Sequence, residues 1–159
     1  MPVLSETRAY APLVLKVKKL HPDAIIPEYQ SKGAAGFDLH YLGNEIGGNT
    51  ILCPGSRHLF KTGIGMEIPE GWQVEIRPRS SLALKEGVTV LNSPGTIDAD
   101  YRGDVGVILH NTSDGHVRIH QGERIAQAVL MPAPQAEIIE VEELSDTERG
   151  EGGFGSTGQ

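Results

Sequence analysis

SRHLFKTGIGMEIPEGWQVEIRP, residues 56–78, sets the fold class. Leu59 opens the run, and Ile64, Met66 and Ile68 then recur at every second position. After a Pro-Glu-Gly break, Trp72, Val74 and Ile76 do the same, with Gln73, Glu75 and Arg77 between them. Residues two apart share one face of an extended chain, so each run reads as a strand with an apolar and a polar side. Proline and glycine stand between the runs, where the chain must turn.

The same rhythm extends outward. PLVLKVKKL (12–20), GFDLHYL (36–42), DVGVILHN (104–111) and RIAQAVLMP (124–132) read as further strands. AEIIEVEEL (136–144) fits strand or helix, and Ile138, Ile139 and Val141 favour strand. CPGS, NSPGT and YRGD punctuate the remainder. One segment departs from the pattern: SSLALKEG (80–87) predicts a short helix, with Ser80 or Ser81 as N-cap and Gly87 as its stop. The expected architecture is an all-β sandwich or barrel with one helix. The 159 residues suit a single domain. With 38% hydrophobic and 5% aromatic residues its core is lean, which points to apolar surface buried between subunits. The predicted division is a β domain over 1–147 and a Gly-rich segment over 148–159.

A net charge of −7 argues against sequence-independent nucleic-acid binding, which needs a basic footprint. A small anionic ligand would need local arginines, backbone N–H groups or a metal to offset that field. Cys53 is the only cysteine, so no disulfide forms within the chain, which suits a reducing compartment. The first twenty residues hold no apolar run of signal or membrane-span length. A soluble, cytoplasmic protein is expected, with no membrane partner.

Four stretches carry candidate chemistry. In RPRSSLA (77–83), Arg77 and Arg79 share a strand face and Ser80 and Ser81 follow at the helix start. That is a phosphate site or merely a capped helix with solvated arginines; spacing does not separate the two. NSPGTIDADYRGDVGV (92–107) packs Asp98, Asp100 and Asp104 into seven positions, and with 96–101 read as a strand or hairpin arm Asp98 and Asp100 share a face. Asp104 reads as a turn or strand-start residue, and Asp100 as facing solvent or Arg102. Asp98, between Ile97 and Ala99, is the one expected to be partly enclosed and able to deprotonate a water, although all three fit a surface turn. Asp38, in an apolar strand, could support a metal or water, or lie exposed. The tail ERGEGGFGSTGQ (148–159) places Arg149, Phe154, Ser156 and Thr157 among glycines. It is either an arm that closes on a ligand or a disordered terminus, the commoner state of chain ends. The six histidines lack metal-ligand spacing, and neither a zinc site nor a Ser-His-Asp arrangement emerges.

Five blocks in order resemble the trimeric dUTPase family. They are AAGFDL (34–39), PRSSLA (78–83), VLNSPGTIDADYRGDVGV (90–107), GERIAQAVL (122–130) and RGEGGFGSTG (149–158). The resemblance implies a jelly-roll subunit of β-clip type and a homotrimer whose three active sites are shared between subunits. It implies Mg²⁺-assisted hydrolysis of dUTP to dUMP and pyrophosphate. Carried over, Asp98 is the base for the attacking water and Asp38 reaches the metal through water. Arg79, Ser80, Ser81 and Gln127 contact phosphates. Asn92, with Gly95 and Ile97 of the adjoining hairpin, reads the uracil edge. Tyr101 packs on the deoxyribose and leaves no room for a 2′-hydroxyl. Arg149, Phe154, Gly155, Ser156 and Thr157 belong to the closing arm, with Phe154 over the uracil.

Ser81 stands where many members have glycine. RSSLA also resembles dCTP deaminase, a relative of the same fold. That family continues with arginine where Leu84 stands here, and carries a glutamate on the strand that here reads DVGVILHN. Both differences argue against deamination. A module that only senses nucleotide or binds protein would have lost the base or the arm, and both are present. No function is assigned to 43–55.

Overall fold

The computed structural model describes residues 13–44 and 48–153, and in them the chain forms eleven strands and one helix. The strands are β1 (Lys16–Lys19), β2 (Phe37–His40), β3 (Thr50–Leu52), β4 (Arg57–Lys61), β5 (Ile64–Glu67) and β6 (Trp72–Arg77). After helix α1 (Ser80–Glu86) come β7 (Val88–Val90), β8 (Gly95–Ile97), β9 (Gly106–Asn111), β10 (Val117–Ile119) and β11 (Arg124–Pro132). They pair antiparallel in four sheets: β1-β5, β3-β10, β2-β11-β6-β8 and β4-β9-β7.

The expected period of two is what builds the core. Val74 and Ile76 of β6, Val107 and Leu109 of β9 and Phe37 and Leu39 of β2 are all buried. Their sequence neighbours stay partly exposed. The first run has a different phase from the one Leu59 suggested. Phe60 is fully buried, in step with Ile64, Met66 and Ile68, while Leu59 is exposed on the other side of β4. Phe60 packs edge-on against Tyr41, 4.9 Å between ring centroids, and the Tyr41 hydroxyl shares a 2.7 Å hydrogen bond with Thr50 Oγ1.

Three further expectations are corrected. Residues 136–144 form no strand; Ile138, Ile139, Val141 and Leu144 are exposed, because the segment pairs with no strand among the described residues. The α1 N-cap is Arg79, not Ser80 or Ser81, and no side chain caps the helix. Both serines fall inside the first turn, an ordinary helical conformation, so serine at 81 imposes no backbone strain. Strand β8 ends at Ile97, so Asp98 and Asp100 do not share a strand face. The helix stop is as expected: Gly87 has φ 64 and its N–H bonds the Leu82 carbonyl. Strands β3, β7 and β10 have three residues each, too few for periodicity to mark.

Among the described residues no helix is long and apolar enough to cross a membrane.

Candidate active site

The sheet β2-β11-β6-β8 is the platform. Asp38, Gln127 and Arg77 lie side by side across β2, β11 and β6, and paired residues project to one face. Asp38 is nearly enclosed, its side chain 12% exposed, and its two oxygens accept from different arginines. Arg79 Nε donates to Oδ1 at 3.0 Å and Arg124 Nη1 to Oδ2 at 3.1 Å. Arg79 Nη1 also donates to the Arg124 carbonyl at 2.9 Å. The carboxylate thus holds two guanidiniums whose remaining N–H groups stay available. Gln127 Nε2 donates to the Pro78 carbonyl at 2.8 Å, fixing the segment from β6 into α1. Gly36 makes room for this: a Cβ there would lie 3.2 Å from Gln127 Oε1 and 3.1 Å from the Ala128 carbonyl.

Arg124 is a partner that sequence reasoning missed. It lies three residues before Gln127, which puts the two on opposite faces of a regular strand. A register shift between Arg124 and Ala126 reverses that parity, so both sit on the Asp38 side. His40 faces the same way, paired with Arg124. Its Nδ1 is buried and has no hydrogen-bond partner among the described residues. Burial lowers its pKa below 6.5; Asp38 opposes that shift, and Arg124 and Arg79 add to it.

The second group of residues lies on the other side of β6. Between β7 and β8 the chain turns through Asn92 and a cis Ser93–Pro94 bond. Gly95 is buried opposite Ile76, and a side chain there would meet Asn92 Nδ2 at 3.1 Å. Ile97 pairs with Val74, so Asp98 falls beside Gln73. The Asp98 carbonyl accepts from Tyr101 N–H at 3.2 Å, closing a turn. The three aspartates then separate. Asp104 is structural: Oδ1 accepts from Gly63 N–H at 2.9 Å. Asp100 is exposed, and among the described residues it makes no ion pair with Arg102. Asp98 is exposed as well, contrary to the expected enclosure, because nothing among the described residues covers the turn. It opens into a cleft of ≈ 710 Å³ lined also by Trp72, Gln73, Asp100 and Pro134.

Arg102 and Tyr101 fasten this turn. Arg102 Nη1 donates to the carbonyls of Ala99 at 2.6 Å and Tyr101 at 3.1 Å, with Met66 at 3.5 Å. The Tyr101 hydroxyl donates to the Asp104 carbonyl at 3.0 Å, and its ring occupies the space a Gly103 side chain would need.

The two groups are not brought together within one chain. Asp98 sits level with Gln73, and Arg79 lies six residues farther along, about 20 Å for extended chain. Arg149 is not brought to either group: its Nε donates to the Gly152 carbonyl at 2.8 Å, closing a turn on itself. Phe154, Gly155, Ser156 and Thr157 lie outside the described residues. Among the described residues no cluster of three or more His, Cys, Asp or Glu side chains could hold a metal ion.

Comparisons with known proteins identify the family. The family model described as dUTPase matches residues 22–158. The deoxyuridine 5'-triphosphate nucleotidohydrolase of Nautilia profundicola is 60% identical over 145 residues, covering 91% of this chain and 99% of that one. Among solved structures, Staphylococcus bacteriophage 80alpha dUTPase with dUPNHPP aligns at TM-score 0.83 and 32% identity, covering 92% of this chain and 99% of the other. A point mutant of the dUTPase from S. aureus phage phi11, described with a structural Mg(II) ion, aligns at TM-score 0.75 and 25% identity, covering 84% and 99%. The chain belongs to the dUTPase family.

Proposed function

We propose that this protein hydrolyses dUTP to dUMP and pyrophosphate at sites assembled between copies of the chain. The observation that carries this reading is the separation of the two groups. A carboxylate fit to be a base stands at one end of β6, and the arginine and serines fit to hold phosphate stand beyond the other. One chain cannot apply both to the same phosphorus atom. A second copy docking its Arg79 end against the Asp98 cleft supplies what is missing and covers the exposed carboxylate. A homotrimer is the assembly we assign. Leu59, Ile51 and Leu91, each about half exposed, are apolar surface that such contacts would bury.

In this reading Asp98 takes a proton from a water whose oxygen attacks the α-phosphorus. The α–β bridging bond breaks, and its electron pair leaves on pyrophosphate. Attack needs water, base and phosphorus held in line, a positioning demand that the turn closed by Arg102 helps to meet. Arg79, Ser80, Ser81 and Gln127 bind phosphate oxygens, with Asp38 and Arg124 fixing the guanidinium of Arg79. Asn92, Gly95 and Ile97 present the hairpin edge to uracil, where an unpaired donor or acceptor disfavours cytosine. Tyr101 packs on the deoxyribose. Residues 148–159, with Arg149, Phe154, Gly155, Ser156 and Thr157, form the arm that closes on bound nucleotide.

Mg²⁺ is the metal we assign, and the donor set suits an indirect role. Asp38, the carboxylate enclosed beside Arg79, already accepts from two arginines, so it reaches a cation through water. When bound, the ion supplies charge neutralisation of the triphosphate in a chain of net charge −7. The cytoplasm is the setting we propose.

The test incubates the purified protein with Mg²⁺ and, separately, dUTP, dCTP, dTTP and UTP, quantifying pyrophosphate and ammonia. Pyrophosphate from dUTP alone, abolished by Asp98→Asn, is expected. Ammonia from dCTP would establish the deaminase chemistry instead, and no product from any nucleotide would leave a binding module.

A further inference from the structure

A cleft of ≈ 410 Å³ adjoins the phosphate-binding segment but extends past it. Arg79 and Ser81 form one end. The far walls carry Lys85 of α1, and His116, Arg118 and His120 around β10. None of these last four has a role in the mechanism above. Three fixed cations and two imidazoles therefore face a single space in a chain whose net charge is −7.

The walls are rigid. The loop from β9 to β10 is stapled to the end of α1, because Thr112 N–H and Oγ1 both donate to the Gly87 carbonyl, at 2.8 and 2.7 Å. Asn111, fully buried, donates to the carbonyls of Leu52 and Gly115 and accepts from Ser113 N–H and Oγ. A buried, fully bonded amide holds the loop in one conformation. The backbone that carries Lys85 and Arg118 is thus braced before a ligand arrives, which avoids part of the ordering cost of binding.

Two carboxylates also line the cleft, Glu86 and Glu123. Glu123 Oε2 already accepts the His120 N–H at 2.7 Å. Arg79 spends its Nε on Asp38 and one Nη1 bond on the Arg124 carbonyl, and so keeps donors for a ligand. Three cations lining one space suit a ligand with charge at both ends, such as a diphosphate, better than a single phosphate.

We propose that this cleft is a second anion subsite that takes inorganic pyrophosphate leaving the phosphate-binding residues. The inference rests on Arg79 and Ser81 contacting the triphosphate, which makes pyrophosphate the anion released beside the cleft. Lys85 and Arg118 govern retention of that product and not the chemical step.

The experiment compares the full-length protein with the Lys85→Gln/Arg118→Gln variant. Pyrophosphate binding is measured directly by calorimetry, and pyrophosphate inhibition of dUTP turnover is measured alongside, with inorganic phosphate and sulfate at matched ionic strength as controls. The expected result is pyrophosphate affinity and inhibition weakened about ten-fold or more in the variant, ten-fold being the size of losing one charge-assisted bond. Its kcat and KM for dUTP would stay within about two-fold, because neither residue contacts the reacting atoms. Unchanged pyrophosphate affinity overturns the proposal. So does an equal effect of sulfate, which marks general charge screening, and so does a large rise in KM for dUTP, which makes the cleft part of the substrate site. Failure of the wild-type protein to turn over dUTP would instead refute the catalytic reading, and the calorimetric comparison would still decide the subsite.

Discussion

Two carboxylates of this chain show how little side-chain identity says without surroundings. Asp38 is enclosed and accepts from two guanidiniums, while Asp98 is exposed on a closed turn. The first is suited to hold other groups in place and the second to take a proton. Asp98→Asn keeps the shape and removes the base. Its expected effect is a fall in kcat of about 10²- to 10⁴-fold, with binding of a non-hydrolysable dUTP analogue nearly unchanged. Steady-state kinetics and analogue titration check both halves, and a variant that turns over normally would remove Asp98 from the mechanism. His40 yields a prediction about stability. Burial lowers its pKa from 6.5, so the folded chain binds this proton less readily than the unfolded chain. The stabilisation from a neutral His40 is therefore complete above 6.5 and is lost as pH falls from there toward the lowered folded value. His40→Gln cannot titrate, and its urea midpoint should vary less than that of the wild type between about pH 7 and pH 5. Equal slopes in the two proteins would refute this.

Elements were legible where their residues answer to local rules, and illegible where a distant partner decides. Gly87 ends α1 as its position foretold, in the left-handed conformation that glycine adopts freely. A Cβ there would also stand 2.9 Å from that of Ser113, in the loop stapled to the helix end. Gly87→Ala should cost about 1–2 kcal/mol for the backbone alone, before any displacement of that loop. A thermal melt within a degree of the wild type would show that this junction is soft. The start of α1 was misread because nothing local marks it: Arg79 takes the cap position while its side chain reaches Asp38, 41 residues away. Leu59 and Phe60 are adjacent, yet the phase set by Ile64 and Met66 already favoured Phe60. Arg124 was hidden by a register shift, which hydrophobic period cannot register. AEIIEVEEL has the composition of a strand but pairs with none among the described residues, so composition described the segment and not its state.

At the scale of the molecule, the roles proposed for Asp98 and Arg79 conflict with their places in one chain. Motifs identified both, but only the register of β8 on β6 put them about 20 Å apart. If each site takes its base from one copy and its phosphate ligands from another, two different inactive variants can repair each other. Asp98→Asn lacks the base in every site it forms with itself, and Arg79→Ala lacks the guanidinium. In a mixed assembly, a site that draws Arg79 from the first variant and Asp98 from the second is intact. With equal mixing and random assembly, each site meets that condition with probability about one half times one half, so roughly a quarter of wild-type activity should return. The two variants are unfolded together, refolded, and assayed for pyrophosphate release, with each variant refolded alone as the baseline. Recovery near that fraction requires residues from different copies in one site. A mixture no more active than its components would place base and phosphate ligands in a single chain, which the length of β6 could accommodate only through a large rearrangement of the hairpin that carries Asp98.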